Sequence, residues 1–390
     1  MGLDRIINVE DMHQLAKKRL PKIAFDFIEG GVEDEHGLDR NESAYRQHNL
    51  VPRYMVDVSD IDQKTTLFGR EYDSPFGISP TGAAALFRPG ADLMLAAAAR
   101  DANIPFIMSG ASTASIEELA EVAPDHGWYQ MYTAKDKSIS EDMIRRADAA
   151  GLSTLVITVD VPVRPRRERN IRNGFTRPLK LTMATRLDAL CHPGWLIRYL
   201  KNGTPLISNW AKYAPKGATA DDIATFVTQQ TAATLTWSDI ERFRKLWPRK
   251  FVLKGIMHPQ DALRAAELGV DGIMISNHGA RQLDRAPAPL DVLPAIQAEV
   301  GDRMTLMMDG GIRRGADIVT AFALGVQFIF MGRPTLYGAA AAGQAGASHV
   351  IGILRNEIET NMRQMGCTSL DRLPEFLMWD DPEDLRRNKN

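Results

Sequence analysis

Residues 276–284 read Ser-Asn-His-Gly-Ala-Arg-Gln-Leu-Asp and follow an apolar run, Gly272-Ile273-Met274-Ile275, with the makeup of a buried parallel strand. A histidine at the end of such a strand, with an arginine three residues on, combines a base and an anion clamp in one turn. The imidazole of His278 can take a proton near neutral pH. The guanidinium of Arg281 can hold a carboxylate through two parallel hydrogen bonds. Together they suit proton removal from a small hydroxy acid. Asp160, after the apolar run Leu155–Val159, either fixes the His278 ring as a triad aspartate does or caps a helix. Lys254 puts one cation at a buried strand end, for an anionic cofactor or for a structural ion pair. Arg167, in Arg164-Pro165-Arg166-Arg167-Glu168, offers a second clamp.

A phosphate site is also written in the chain. Asp309-Gly310-Gly311-Ile312-Arg313-Arg314-Gly315 and Gly332-Arg333 each follow an apolar segment. Glycines there expose backbone N–H groups, and arginines neutralise the anion.

These residues must be carried by a repeating scaffold. Eight short apolar segments are spaced along the chain: Phe76–Pro80, Pro105–Ser109, Trp128–Tyr132, Leu155–Val159, Phe251–Lys254, Gly272–Ser276, Thr305–Asp309 and Gln327–Met331. Helical patterns separate most of them, at Ala91–Ala102, Ser115–Val122, Ser140–Ala150, Pro259–Leu268, Leu290–Val300 and Gly315–Leu324. That alternation predicts an α/β fold, a parallel sheet closed into a (β/α)8 TIM barrel, with the site at the carboxyl ends of the strands. The phosphate group then falls after strands seven and eight, where such barrels commonly hold one. An open doubly wound sheet is the alternative, but no Gly-x-Gly-x-x-Gly opens it. The expected organisation is a single domain over 1–390, with an N-terminal cap over 1–75, a barrel over 76–340 and a helical C-terminal tail over 341–390 ending in polar residues. Within the cap, one helical stretch, Val9–Glu29, precedes charged and extended sequence. A long insertion, 174–236, interrupts the barrel after strand four.

Bulk properties narrow the function classes. The chain has 390 residues, 44% of them hydrophobic and 25% charged, as in soluble globular proteins. A net charge of −2 suggests no nucleic-acid partner. Cys191 and Cys367 are too few for a disulfide framework and have no metal-ligand spacing, so a reducing cytoplasmic setting and no metal are expected. The first residues open no apolar signal segment, and no run approaches the roughly 20 apolar residues needed to span a bilayer.

The motifs Ser276–Asp284, Asp309–Gly315, Leu155–Asp160, and Arg19-Leu20-Pro21-Lys22 with Gly30-Gly31-Val32-Glu33-Asp34-Glu35 carry a resemblance. From about residue 5 to 370 the chain resembles the FMN-dependent 2-hydroxy-acid oxidoreductases, the family of glycolate oxidase, L-lactate dehydrogenase and (S)-mandelate dehydrogenase. The resemblance implies oxidation of a hydroxy acid to a 2-keto acid with FMN. It implies His278 as base, Asp160 as its partner, Arg281 and Arg167 on the carboxylate, Tyr132 on the substrate and Lys254 by the flavin N1/O2 edge. It implies that Pro80, Thr81, Gly82, Ser109, Gln130, Thr158, Ser276, Asp309, Gly311, Arg313, Gly332 and Arg333 cradle FMN. It also implies a quinone or oxygen as electron acceptor and a homo-oligomer, a tetramer.

Three positions depart from the family pattern. Phe27 replaces a tyrosine that helps hold the substrate carboxylate. Ala111 stands where glycolate oxidase has Trp, leaving room for a bulky substituent as in the mandelate enzyme. Gly82 replaces the Ala of the family's oxidases and matches its dehydrogenases. The expected substrate is therefore an (S)-2-hydroxy acid with an aryl or other large group. The competing readings are a lactate dehydrogenase or an oxygen-using hydroxy-acid oxidase, an FMN-barrel isomerase acting on a phosphorylated substrate, and a catalytically silent flavin-binding protein. A redox-neutral isomerase has no use for a carboxylate clamp beside a base.

The insertion has its own pattern. Residues 176–216 hold Arg177, Lys180, Arg186, Arg198, Lys201, Lys212 and Lys216 against the single acid Asp188, with Trp195, Tyr199, Trp210 and Tyr213 interleaved. Basic groups with interfacial aromatics suit peripheral contact with a membrane, here the inner face of the cytoplasmic membrane. A solvated lid or an oligomer contact is the alternative.

Overall fold

The computed structural model describes residues 2–175, 182–230 and 235–378. Eight parallel strands close into a barrel in sequence order, with β8 hydrogen-bonded to β1. They are β1 (Phe76–Ile78), β2 (Phe106–Met108), β3 (Gly127–Met131), β4 (Thr154–Thr158), β5 (Lys250–Ile256), β6 (Gly272–Ile275), β7 (Thr305–Asp309) and β8 (Phe328–Met331). Each lies on one of the expected apolar segments, and the fold is the expected TIM barrel. The helices Ala91–Asp101, Ile116–Val122, Lys137–Ala149, Pro259–Glu267, Pro289–Val300 and Gly315–Ala323 lie on the expected helical patterns. Gly151 and Gly269, just past two of these helices, take φ of +78° and +71°, a conformation that other residues adopt only with strain.

Strand side chains alternate between two cores. Ile107, Trp128, Val156, Val252, Met274, Met307, Phe328 and Phe330 fill the barrel interior, while Phe76, Ile78, Tyr129, Leu155 and Leu253 meet the surrounding helices. Leu67 and Tyr72, from a hairpin of Thr65–Leu67 and Arg70–Tyr72, join the interior cluster, and Phe68 lies 5.7 Å from Trp128. This hairpin plugs the amino-terminal mouth, so the opposite mouth is left for chemistry.

The N-terminal segment differs from expectation in two ways. Val9–Glu29 is two helices, Val9–Arg19 and Lys22–Glu29, because Leu20 precedes Pro21 and is driven to an extended conformation. The charged stretch after it contains a helix, His36–Arg46, entered through Glu35 at φ +64° with no side-chain cap. The missing cap and mostly polar surface hide that helix in the sequence.

The insertion carries helices Met183–Leu190, Pro193–Asn202, Ser208–Ala211 and Ala220–Gln230. Its two tryptophans do not form an interfacial belt. Trp195 and Trp210 are buried against the barrel, their indole N–H groups donating to Leu86 O (2.7 Å) and Gly110 O (3.0 Å). Tyr199 stacks on Trp195, and Tyr213 donates to Asp142. The exposed large apolar residues are unbranched or aliphatic instead: Met183, Leu187, Leu190, Ile197, Leu200 and Leu206. Arg177 and Lys180 lie outside the described residues.

Candidate active site

A cavity of about 560 Å³ opens at the carboxyl ends of the strands. Phe27, Pro80, Thr81, Gly82, Ala111, Tyr132, Thr158, Arg167, Lys254, His278, Arg281, Asp309, Gly311, Arg313, Gly332 and Arg333 line it. Asp160 reaches it through His278, and Ser109, Gln130 and Ser276 stand one layer behind the wall. The chain ends of all eight strands thus bring the chemistry read from the sequence into one space.

His278 Nδ1 is 2.8 Å from Asp160 Oδ1, so the N-cap alternative for Asp160 gives way to the pairing. With Nδ1 engaged, Nε2 is the ring atom available to take a proton. Burial pushes the imidazole below its ordinary value, opposed by the neighbouring carboxylate and reinforced by Lys254 and Arg167. Asp160 is seated by Gly255, at a bulge in β5 with φ +102°. A Cβ at Gly255 would stand 2.6 Å from the Asp160 carboxyl carbon, so only glycine admits the acid there. Gln282 fixes the same corner, donating to Asp160 O (3.1 Å) and accepting from Arg167 (3.4 Å). Neither residue was singled out from the sequence; a glycine directly after a strand-end lysine is the only visible sign.

Three guanidiniums share this mouth. Arg281 donates to Gly30 O (2.6 Å) and lies over the Phe27 ring, 5.3 Å from its centroid. Arg333 donates to Ile28 O (3.1 Å) and Gly279 O (3.2 Å), and Arg167 to Arg281 O (3.3 Å). Two of them are thus held by the carbonyl end of helix Lys22–Glu29. Asp188 of the insertion accepts from Lys22 N at the other end (2.5 Å). None of the three forms an ion pair with a carboxylate among the described residues. Burial, with Arg167 and Arg333 close by, pushes Arg281 well down; burial pushes Arg167 down to about 10. Buried like charges without counter-charge call for anions. Arg313, by contrast, pairs with Glu42 of helix His36–Arg46 at 2.9 Å, and Tyr45 of that helix donates to Gly310 O (2.7 Å). The helix missed in the sequence thereby holds the Gly310-Gly311 loop.

Lys254 makes the structural ion pair, 2.9 Å to Asp309 Oδ2, and donates to Ser276 Oγ at 2.7 Å while still lining the cavity. Burial would raise the Asp309 carboxyl, but Lys254, Ser276 and Ser79 hold it below the usual range. Three buried polar atoms beside this pair lack a partner among the described residues: Gln130 Nε2, Thr158 Oγ1 and Asp309 Oδ1. A donor, a hydroxyl and an acceptor at the ends of β3, β4 and β7 match a planar heterocycle edged with carbonyl and N–H groups, and the arginine-lined loops match its phosphate.

The model of the FMN-dependent dehydrogenase family matches residues 16–380. (S)-Mandelate dehydrogenase of Pseudomonas putida is 38% identical over 373 residues, covering 95% of this chain and 94% of that protein. L-Lactate oxidase of a Nostoc species is 40% identical over 368 residues, covering 93% and 95%. The crystal structure of the monotopic membrane protein (S)-mandelate dehydrogenase superposes with a TM-score of 0.92 at 37% identity, covering 96% of this chain and 99% of that one. The chain belongs to the FMN-dependent dehydrogenase family and is an FMN-dependent oxidoreductase of 2-hydroxy acids.

Proposed function

We propose that the protein oxidises (S)-2-hydroxy acids bearing an aryl or similarly bulky group to 2-keto acids. The observation that carries this reading is the convergence of the His278–Asp160 pair with buried arginines that lack carboxylate partners. Arg281 and Arg167 take the substrate carboxylate, and Tyr132, whose ring is 6.4 Å from that of His278, supplies a hydroxyl to the substrate. His278 Nε2 accepts the proton that leaves the substrate, whether from the hydroxyl or from C2. Asp160 stabilises the imidazolium so formed. Gln130, Thr158, Lys254 and Asp309 hold the FMN ring, with Pro80, Thr81, Gly82, Ser109, Ser276 and Gly332 around it, and Gly311, Arg313 and Arg333 hold its phosphate. FMN, when bound, takes up the two electrons that the alcohol loses.

Room for the substituent lies between small and apolar walls. Ala111 and Gly82 face each other so closely that a Cβ on Gly82 would come within 3.0 Å of the Ala111 Cβ. Phe175 and Ile207 complete the wall, and the Phe27 ring is 4.8 Å from that of Phe175. Ala111→Trp is expected to lower kcat/KM for mandelate-like acids by about 10–100-fold, the scale on which a hydrophobic pocket discriminates, and to spare glycolate. Steady-state comparison of the two substrates checks this, and equal losses would show that residue 111 does not border the substituent.

The insertion supports peripheral membrane contact and a quinone as acceptor. Met183, Leu187 and Leu190 fall on one helical face, and Ile197 and Leu200 on the next helix, and Arg186 and Lys201 of the same two helices are exposed. One relative of matching shape, (S)-mandelate dehydrogenase, is a monotopic membrane protein. Among the described residues no helix is long and apolar enough to cross a membrane. The holoenzyme should sediment with anionic vesicles at low salt, and Leu187→Ser/Ile197→Ser/Leu200→Ser should return it to the supernatant with kcat retained. An intact protein that never sediments contradicts this part of the reading.

A further inference from the structure

His278, Gly279 and Ala280 all take the left-handed conformation, at φ of +60°, +63° and +59°. For the two residues with side chains this stores on the order of 1–3 kcal/mol each and persists only where surroundings impose it. The turn that carries the imidazole therefore needs an external constraint. His278 N donates to Ser276 Oγ (3.0 Å), and Ala280 N donates to the Asn277 side-chain oxygen (3.1 Å). Asn277 is itself gripped by Asn41 in a reciprocal carboxamide pair. Asn41 Nδ2 donates to Asn277 Oδ1 (2.9 Å), and Asn277 Nδ2 donates to Asn41 Oδ1 (2.7 Å). Asn277 Nδ2 also donates to Pro287 O (3.0 Å), so its backbone partners set which end of each amide faces which. Both residues are buried, at 3% and 5% exposure. The Asn41 backbone also abuts the phosphate-side loop: a Cβ on Gly311 would come within 2.2 Å of Asn41 O.

We infer that Asn41, on helix His36–Arg46, is a positioning residue for the proposed reaction: through Asn277 it holds the strained His278–Ala280 turn so that the imidazole meets the substrate. This rests on the reading of His278 as the proton acceptor. Asn41 touches neither the substrate space nor His278, so its loss should displace the base and leave substrate binding intact. Misplacing a catalytic group by about 1 Å can cost on the order of 10²-fold in rate.

The test compares Asn41→Ala, Asn277→Ala, the double variant and His278→Ala as FMN-loaded enzymes. Asn41→Ala should lower kcat about 10–100-fold, leave KM within about threefold and keep FMN bound. The substrate isotope effect for α-deuterated mandelate should be no smaller than in the parent. The double variant should lose no more than the worse single variant, because both act through one link. Asn41→Asp keeps the size of the side chain but sets an acceptor oxygen against Asn277 Oδ1. It should show the same kcat loss if Asn41→Ala fails to fold. Parent-like kcat in both Asn41 variants, or losses that multiply in the double variant, overturns the inference. If His278→Ala itself keeps the parent rate, the reading of the base fails instead, and the two failures are told apart.

Discussion

Holoenzyme carrying His278→Ala should remain yellow, bind substrate, and reduce its flavin at least about 10²–10⁴-fold more slowly than the parent. FMN retention follows from geometry: His278 lines the cavity, but the atoms assigned to the cofactor belong to other strand ends. The loss follows because no second imidazole or carboxylate among the lining residues stands where Nε2 does; Asp160 is engaged with Nδ1, and Asp309 with Lys254 and Ser79. The same assignment has a pH signature. A base must be deprotonated to work, and burial holds the His278 pKa below its ordinary value. The acid limb of kcat/KM should therefore lie below about 6.5, with the rate falling as pH drops through it. Single-turnover flavin reduction across pH reads both effects, and an acid limb above that value would contradict the environment described for the ring.

Arg281→Met should cost about 10²–10³-fold in kcat/KM for a 2-hydroxy acid. The estimate takes one to two charge-assisted hydrogen bonds at roughly 1.5–3 kcal/mol each, discounted because Arg167 remains. Arg281→Lys should recover only part of this, since an ammonium is a point charge and not a planar fork. The methyl ester of the same acid has no carboxylate to clamp and should be a poor substrate for parent and variant alike. If Arg281→Met lowers activity on acid and ester by the same factor, the guanidinium serves the fold and not the carboxylate. Its stacking on Phe27 and its bonds to the carbonyls of Ile28 and Gly30 make that alternative concrete.

The barrel is legible in the sequence because strands buried on both faces read as apolar runs, and because helix-ending glycines such as Gly151 and Gly269 punctuate them. The strand ends are legible for a related reason: polar residues at the end of an apolar run have few uses other than chemistry. What is hidden is what depends on contacts far apart in sequence. Helix His36–Arg46 lacks a cap and a continuous apolar stripe, since it is held by Asn41, Glu42 and Tyr45 through polar bonds to the β6 and β7 loops. Gly255 matters only because Asp160 comes from another strand. The insertion's aromatics mislead because an indole can be interfacial or buried with its N–H paired, and only the partners Leu86 and Gly110 decide.

The central claim, a base and a carboxylate clamp set against FMN for an aryl hydroxy acid, is tested most directly by anaerobic stopped-flow of the oxidised holoenzyme. The flavin's visible absorbance is followed after mixing with (S)-mandelate, (R)-mandelate and glycolate. Rapid bleaching by (S)-mandelate, slower bleaching by glycolate and essentially none by (R)-mandelate is the expected result. A flavin that stays oxidised with every 2-hydroxy acid, or one that glycolate reduces faster than (S)-mandelate, contradicts it.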